Sequence, residues 1–115
     1  MKNNAVHRMA ALGALAVGLV LGNEALAADD EATKALLKKS ECTKCHAIDK
    51  DKKGPSYRKI AADKRGKADA EASVVKSMTN GQKVKLSDGS EEEHKRLQTQ
   101  DAAQLKNVAQ WILAQ

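Results

Sequence analysis

Cys42-Thr43-Lys44-Cys45-His46 is the stretch whose residue types and spacing could do chemistry. Two thiols three positions apart can add to the two vinyl groups of one haem. The adjoining His46 is then held beneath the same porphyrin and can bind its iron. Two other readings compete. A Cys-x-x-Cys pair also serves thiol-disulfide exchange, but that chemistry wants a βαβ context, and no convincing strand pattern is visible. Cys42, Cys45, His46 and His94 also make up a four-ligand set for zinc. Adjacent Cys45 and His46 are awkward in one tetrahedral site, and the spacings fit no common zinc module. Covalent haem is the favoured reading of the three.

The chain around this motif has 115 residues, one small domain's worth, with 42% apolar and 30% charged residues. That balance excludes a disordered chain and a polytopic membrane protein. Aromatics amount to 2%, one Tyr and one Trp without any Phe. A small domain so poor in large side chains has a weak core of its own. A buried porphyrin would supply the apolar bulk that the composition lacks. Two cysteines are too few for a disulfide-dense scaffold.

The start of the chain reads as an address label. Lys2 and Arg8 precede an uncharged apolar run, Met9 to Leu21, and Ala25-Leu26-Ala27 is a small-x-small cleavage site. As a helix that run spans roughly 20 Å, short of the roughly 30 Å hydrocarbon core. The expected organisation is therefore a cleaved signal peptide over 1–27 and a single domain over 28–115, delivered to a bacterial periplasm. Export agrees with the haem reading, since c-type haem is attached outside the cytoplasm.

Several helices must position the motif. Acidic Asp29, Asp30 and Glu31 before Ala32, Ala35, Leu36 and Leu37, with Lys38 and Lys39 behind, predict a helix from about Asp30 to Glu41. A polar loop ends at Pro55, the sole proline, and Ser56 to Asp63 can form a short helix carrying Tyr57, Ile60 and Ala61. Asp69 can cap a third helix with Val74, Val75 and Met78 on one stripe, ended by Asn80-Gly81. Residues 81–100 lack clear periodicity, with a turn signal at Asp88-Gly89. The last helix is the clearest: Asp101 and Gln104 suggest a capping box, and Leu105, Val108, Ala109 and Ile112 follow at helical spacing. The domain reads as all-α.

Taken in order, these features resemble the class I cytochromes c, in particular the small bacterial monohaem type. The resemblance rests on Cys42-Thr43-Lys44-Cys45-His46, then Gly54-Pro55-Ser56-Tyr57 and Ile60-Ala61, a helix ending at Asn80-Gly81, and a final helix carrying Trp111-Ile112-Leu113. It implies N- and C-terminal helices crossing around one covalently attached haem c, and electron transfer rather than enzyme catalysis. Cys42 and Cys45 would form the thioethers, and His46 would be the proximal iron ligand. Pro55 matches the family proline whose carbonyl accepts a hydrogen bond from that imidazole, raising its basicity as a ligand. Tyr57 and Trp111 match positions that line the haem edge or pack the helix crossing.

The chain departs from the family at the sixth ligand. The loop before the last helix, where the family supplies a methionine, reads Ser90-Glu91-Glu92-Glu93-His94-Lys95-Arg96-Leu97. His94 lies 17 residues before Trp111, close to where the family methionine falls. Bis-histidine ligation by His46 and His94 is the favoured reading. Met78 is the rival, but its helical stripe suits a core position. An open site, or a lysine such as Lys83 or Lys95, is the third option. Imidazole in place of methionine should lower the potential. A releasable His94 would instead permit binding of a small gas or weak peroxidase activity.

The formal net charge is +5. Lys50, Lys52, Lys53, Arg58, Lys59, Lys64, Arg65 and Lys67 follow the motif, interspersed with Asp49, Asp51 and Asp63. Such a cluster can steer docking onto an acidic or membrane-bound redox donor or acceptor, or can be a solvated face. Export and the haem motif argue against nucleic acid.

Overall fold

The computed structural model describes Gly18 and residues 24–115, with side chains from Asp30 onward. The expected leader over 1–27 lies outside these residues, apart from Gly18 and the backbone of 24–27. Four helices, α1 (Glu24–Lys39), α2 (Tyr57–Lys64), α3 (Ala70–Thr79) and α4 (Ala102–Leu113), account for most of the regular structure among the described residues. A short hairpin of β1 (Lys83–Lys85) and β2 (Glu91–Glu93) completes it.

Helix α1 stops at Lys39, two residues before the predicted end. Glu41 turns the chain through the left-handed region at φ 64°. For a residue with a Cβ this costs on the order of 1 kcal/mol. The Glu41 carboxylate answers with ion pairs to Lys44 and, at 3.7 Å, to Lys95. The sharp exit lets Cys42–Lys44 wind into a single 3-10 turn directly against the helix end.

Capping sets the other helix starts. The Ser56 hydroxyl accepts the Lys59 N–H at 3.2 Å and opens α2. Asp69 stands before α3 as expected, but its side chain makes no capping bond. Asp101 caps α4 by accepting the Gln104 N–H at 2.9 Å. The predicted capping box is half formed: the Gln104 side chain closes onto the Thr99 hydroxyl, and that hydroxyl takes the Asp101 N–H at 3.2 Å.

Helix α4 organises the core. It packs against α1, α2 and α3. Its apolar stripe buries Val108, Ala109 and Ile112 against Leu37, Tyr57, Val74, Met78 and Leu97. Ala109 is 0% exposed, and its small side chain lets the neighbouring backbones approach. The all-α reading holds, with the first and last helices in contact around the core.

The hairpin was not expected from periodicity. Its register pairs Lys83 with Glu93, Val84 with Glu92 and Lys85 with Glu91. Two of the three pairs are opposite charges, worth about 0.2–1 kcal/mol each. A strand signal based on apolar alternation cannot see them, because β2 has no apolar residue. The turn uses Gly89 at φ 86°, and the Asp88 carboxylate accepts the Ser90 N–H at 2.9 Å.

Asp101→Ala should remove the cap of the helix on which the core is assembled. The expected loss is about 1 kcal/mol, seen as a lower urea midpoint at unchanged m-value.

Candidate haem site

The Cys42–Lys44 turn carries both thiols on one short arc, closed by the Cys45 and His46 N–H groups on the Cys42 carbonyl at 3.2 and 3.0 Å. Cys42 and Cys45 are free and half-buried. Burial pushes the Cys42 thiol pKa up.

The loop after His46 is folded back on the motif by its own backbone. Gly54 N–H reaches the Cys45 carbonyl at 2.9 Å, and Tyr57 and Arg58 N–H reach the carbonyls of Ala47 and Ile48 at 2.9 and 3.0 Å. This closure brings the Pro55 carbonyl to 2.5 Å from His46 Nδ1. The proline role implied by the resemblance thus has its geometry. Pro55 has no N–H to satisfy at the bend. Gly54 is needed for a different reason. A Cβ there would sit 2.8 Å from His46 Cε1 and 3.3 Å from Nδ1, inside the imidazole's van der Waals surface.

Aromatic packing fixes the other side of the ring. Tyr57 stacks on His46 with centroids 5.5 Å apart and planes 25° apart. Trp111 meets Tyr57 edge-on at 5.5 Å and 77°. The Trp111 indole N–H donates to the Asp30 carboxylate, tying α4 to α1. Lys34 first, and Trp111 second, hold the Asp30 carboxyl below its ordinary pKa. The Tyr57 hydroxyl is buried without a partner, and burial drives its pKa well above the usual value.

His94 comes from the end of the hairpin. Its N–H donates to the Gln82 carbonyl at 2.8 Å, and the chain beyond is pinned by Leu97 N–H on the Met78 carbonyl at 2.8 Å. The buried Ser40 hydroxyl then accepts the Gln98 N–H at 2.8 Å. These bonds hold the His94 ring with its centroid 6.1 Å from that of His46 and planes 57° apart. His94 Nδ1 is buried without a hydrogen-bond partner. Burial, then the proximity of His46, lowers the His94 pKa and favours the neutral imidazole that binds metals.

Cys42, Cys45, His46, Tyr57, Met78 and His94 all line one cavity of about 280 Å³. Leu37, Ile60, Val74 and Ile112 from the helices and Val84 and Leu86 from the hairpin make its walls apolar. These residues fit a haem. The walls suit a porphyrin, and the paired thiols sit at its margin. His46 and His94, whose ring centroids lie 6.1 Å apart on this cavity, are the imidazoles that would hold its iron. Met78 also lines the cavity but is only 6% exposed and belongs to the core cluster. Lys95 is engaged with Glu41, and Lys83 lies on the exposed side of β1.

The hairpin wall, Val84, Leu86 and Glu92, was missed in the sequence. The complementary charge runs Lys83-Val84-Lys85 and Glu91-Glu92-Glu93 were the available signal. Gly54→Ala should force the His46 ring away from the Pro55 carbonyl or open the loop. The expected cost is about 1–3 kcal/mol, with a displaced His46 ring resonance in the NMR spectrum of the folded protein.

A family model described as cytochrome c matches residues 31–115. Cytochrome c-551 of Pseudomonas aeruginosa is 42% identical over 72 residues, covering 63% of this chain and 66% of the relative, just under two thirds of its length. The crystal structure of the class 1 cytochrome MtoD from Sideroxydans lithotrophicus ES-1 is 47% identical, with a TM-score of 0.71 over 75% of this chain and 95% of that one. The motif order, the contact between the first and last helices and the apolar cavity agree with these likenesses: the chain belongs to the cytochrome c family, in its class I form, and that family carries one covalently attached haem c with its iron.

Proposed function

We propose that the protein is an electron carrier, not an enzyme, with one c-type haem held between His46 and His94. The observation that carries this reading is the pair of imidazoles 6.1 Å apart across an apolar cavity bordered by both cysteines. When bound, the haem supplies one-electron redox chemistry at its iron. Cys42 and Cys45 would anchor it through their two sulfurs. His46 serves as proximal ligand, oriented by the Pro55 carbonyl. His94 serves as sixth ligand, held in place by the hairpin and the Ser40 clamp. Tyr57, Leu37, Ile60 and Val74 keep water from the cavity and lower its dielectric.

The carrier works outside the cytoplasm, in the periplasm, after removal of residues 1–27. The leader-like start and the need to attach haem after export support this. No described helix is long and apolar enough to cross a membrane. The basic segment after the motif supports docking onto acidic redox donors and acceptors. Lys50, Lys52, Lys53, Lys59, Arg65 and Lys67 are exposed there, while Arg58 pairs with Asp49 at 4.0 Å and Lys64 donates to the Ser73 hydroxyl at 2.6 Å.

The anchoring roles are tested by Cys42→Ala/Cys45→Ala. This variant should lose covalent haem and, with it, most of the helical circular dichroism. Haem still attached after acid-acetone extraction would refute the assignment.

The distal role is tested separately. His94→Ala should turn a low-spin ferric spectrum high-spin and admit cyanide, whereas Met78→Leu should leave the spectrum unchanged and cost under about 1.5 kcal/mol. The exchanged outcome would make Met78 the ligand.

A further inference from the structure

The loop that orients His46 contains a second, charged link. The Pro55–Ser56 peptide is trans, as are all peptide bonds among the described residues. Its C=O and N–H therefore point in opposite directions, and both are engaged. The C=O lies 2.5 Å from His46 Nδ1, and the N–H donates to the Asp51 carboxylate at 2.7 Å. Asp51 is brought there by an isolated antiparallel bridge with His46 itself and by the Lys52 N–H on the Gly54 carbonyl at 3.0 Å. This bond is not needed to start α2, because the Ser56 hydroxyl already accepts the Lys59 N–H.

We propose that Asp51 is a positioning residue for the iron centre, acting through the Pro55–Ser56 peptide to strengthen the hydrogen bond donated by His46 Nδ1 and so lower the reduction potential of the bound haem. The peptide is one conjugated unit. A negative acceptor on its N–H draws electron density toward its oxygen, and hydrogen bonds in such a chain polarise one another by about 10–30% each. The stronger pull on Nδ1–H gives the ring more imidazolate character and makes its other nitrogen a better donor. A better donor favours ferric over ferrous iron. The inference rests on His46 being the proximal ligand.

The test is a redox titration of the haem-loaded protein at low salt and at 1 M salt. Asp51→Asn keeps an oxygen for the Ser56 N–H but removes the charge. Ser56→Pro keeps the charge but removes the N–H, at a φ of −62° that proline adopts, and Ser56→Ala, which loses only the hydroxyl that caps α2, is its control and should leave the potential unshifted. Asp49→Asn removes an equal charge from the same loop, one that pairs with Arg58 instead. In Asp51→Asn and Ser56→Pro the ferric-to-ferrous ratio at fixed applied potential should fall roughly threefold, about 30 mV for a one-electron couple. The shift should persist at 1 M salt, where exposed charges are screened within about 3 Å. Asp49→Asn should shift less and lose its shift in salt. An Asp51→Asn or Ser56→Pro potential equal to wild type at 1 M salt overturns the relay, and so does an Asp49→Asn shift of equal size there. His46→Ala separates the two levels. An unchanged ferric spectrum in that variant removes the ligand reading and the relay with it. A lost low-spin spectrum beside unshifted Asp51→Asn and Ser56→Pro potentials overturns the relay alone.

Discussion

The hydrogen bond between His46 Nδ1 and the Pro55 carbonyl is the point at which local chain geometry and tertiary packing meet. Everything upstream of it serves to deliver the imidazole: the left-handed step at Glu41, the tight turn at Cys42–Lys44 and the half-burial of both thiols. Everything immediately downstream serves to deliver the carbonyl: the loop closed on Cys45, Ala47 and Ile48, the missing Cβ at Gly54 and the missing N–H at Pro55. Each of these features helps to fix the orientation of the imidazole, together with the Tyr57 ring stacked on it. The single aromatic cluster is placed here too, with Tyr57 on the imidazole and Trp111 on Tyr57.

Helix α4 converts that local arrangement into a fold. It alone touches the other three helices in the described structure. Its buried stripe is made of small and medium residues, Val108, Ala109 and Ile112. Dispersion between such residues is modest, and a domain this small has little surface to bury. The apolar cavity between the helices and the hairpin has walls but few large side chains inside it. The family's haem accounts for that composition, because the porphyrin provides the large apolar surface that phenylalanines provide elsewhere. Cofactor binding and folding are one equilibrium in such a domain.

The helices were legible in the sequence because their apolar stripes and end signals agree. Asp101 and Leu105, Val108, Ala109 and Ile112 all point to one element. The Cys-x-x-Cys-His motif was legible because attachment to one porphyrin dictates its spacing, whereas Pro55 was legible only through the resemblance to the class I cytochromes c. Other features depend on contacts between distant residues and leave no periodic trace. The hairpin register sets lysines opposite glutamates, and its apolar residues are too few to alternate. The failure of Asp69 to cap shows the reverse problem: a residue of the right type in the right place whose side chain is not used. His94 could be singled out by its position before the last helix, but its distance and tilt relative to His46 depend on the hairpin register and the Ser40 clamp.

The two faces of the site are built from different materials. His46 is embedded in the covalent motif and the helical core, whereas His94 hangs from a hairpin whose second strand is wholly exposed. Regions with few buried contacts open locally at free energies far below that of global unfolding. The distal segment is tied to the rest at few points: the buried Leu86 side chain, and beyond His94 the Leu97 and Gln98 N–H groups on the Met78 carbonyl and the Ser40 hydroxyl. Amide exchange in 83–94 should accordingly be faster than in α4. Mild denaturant would therefore loosen the segment that carries His94 before the helical core that carries His46.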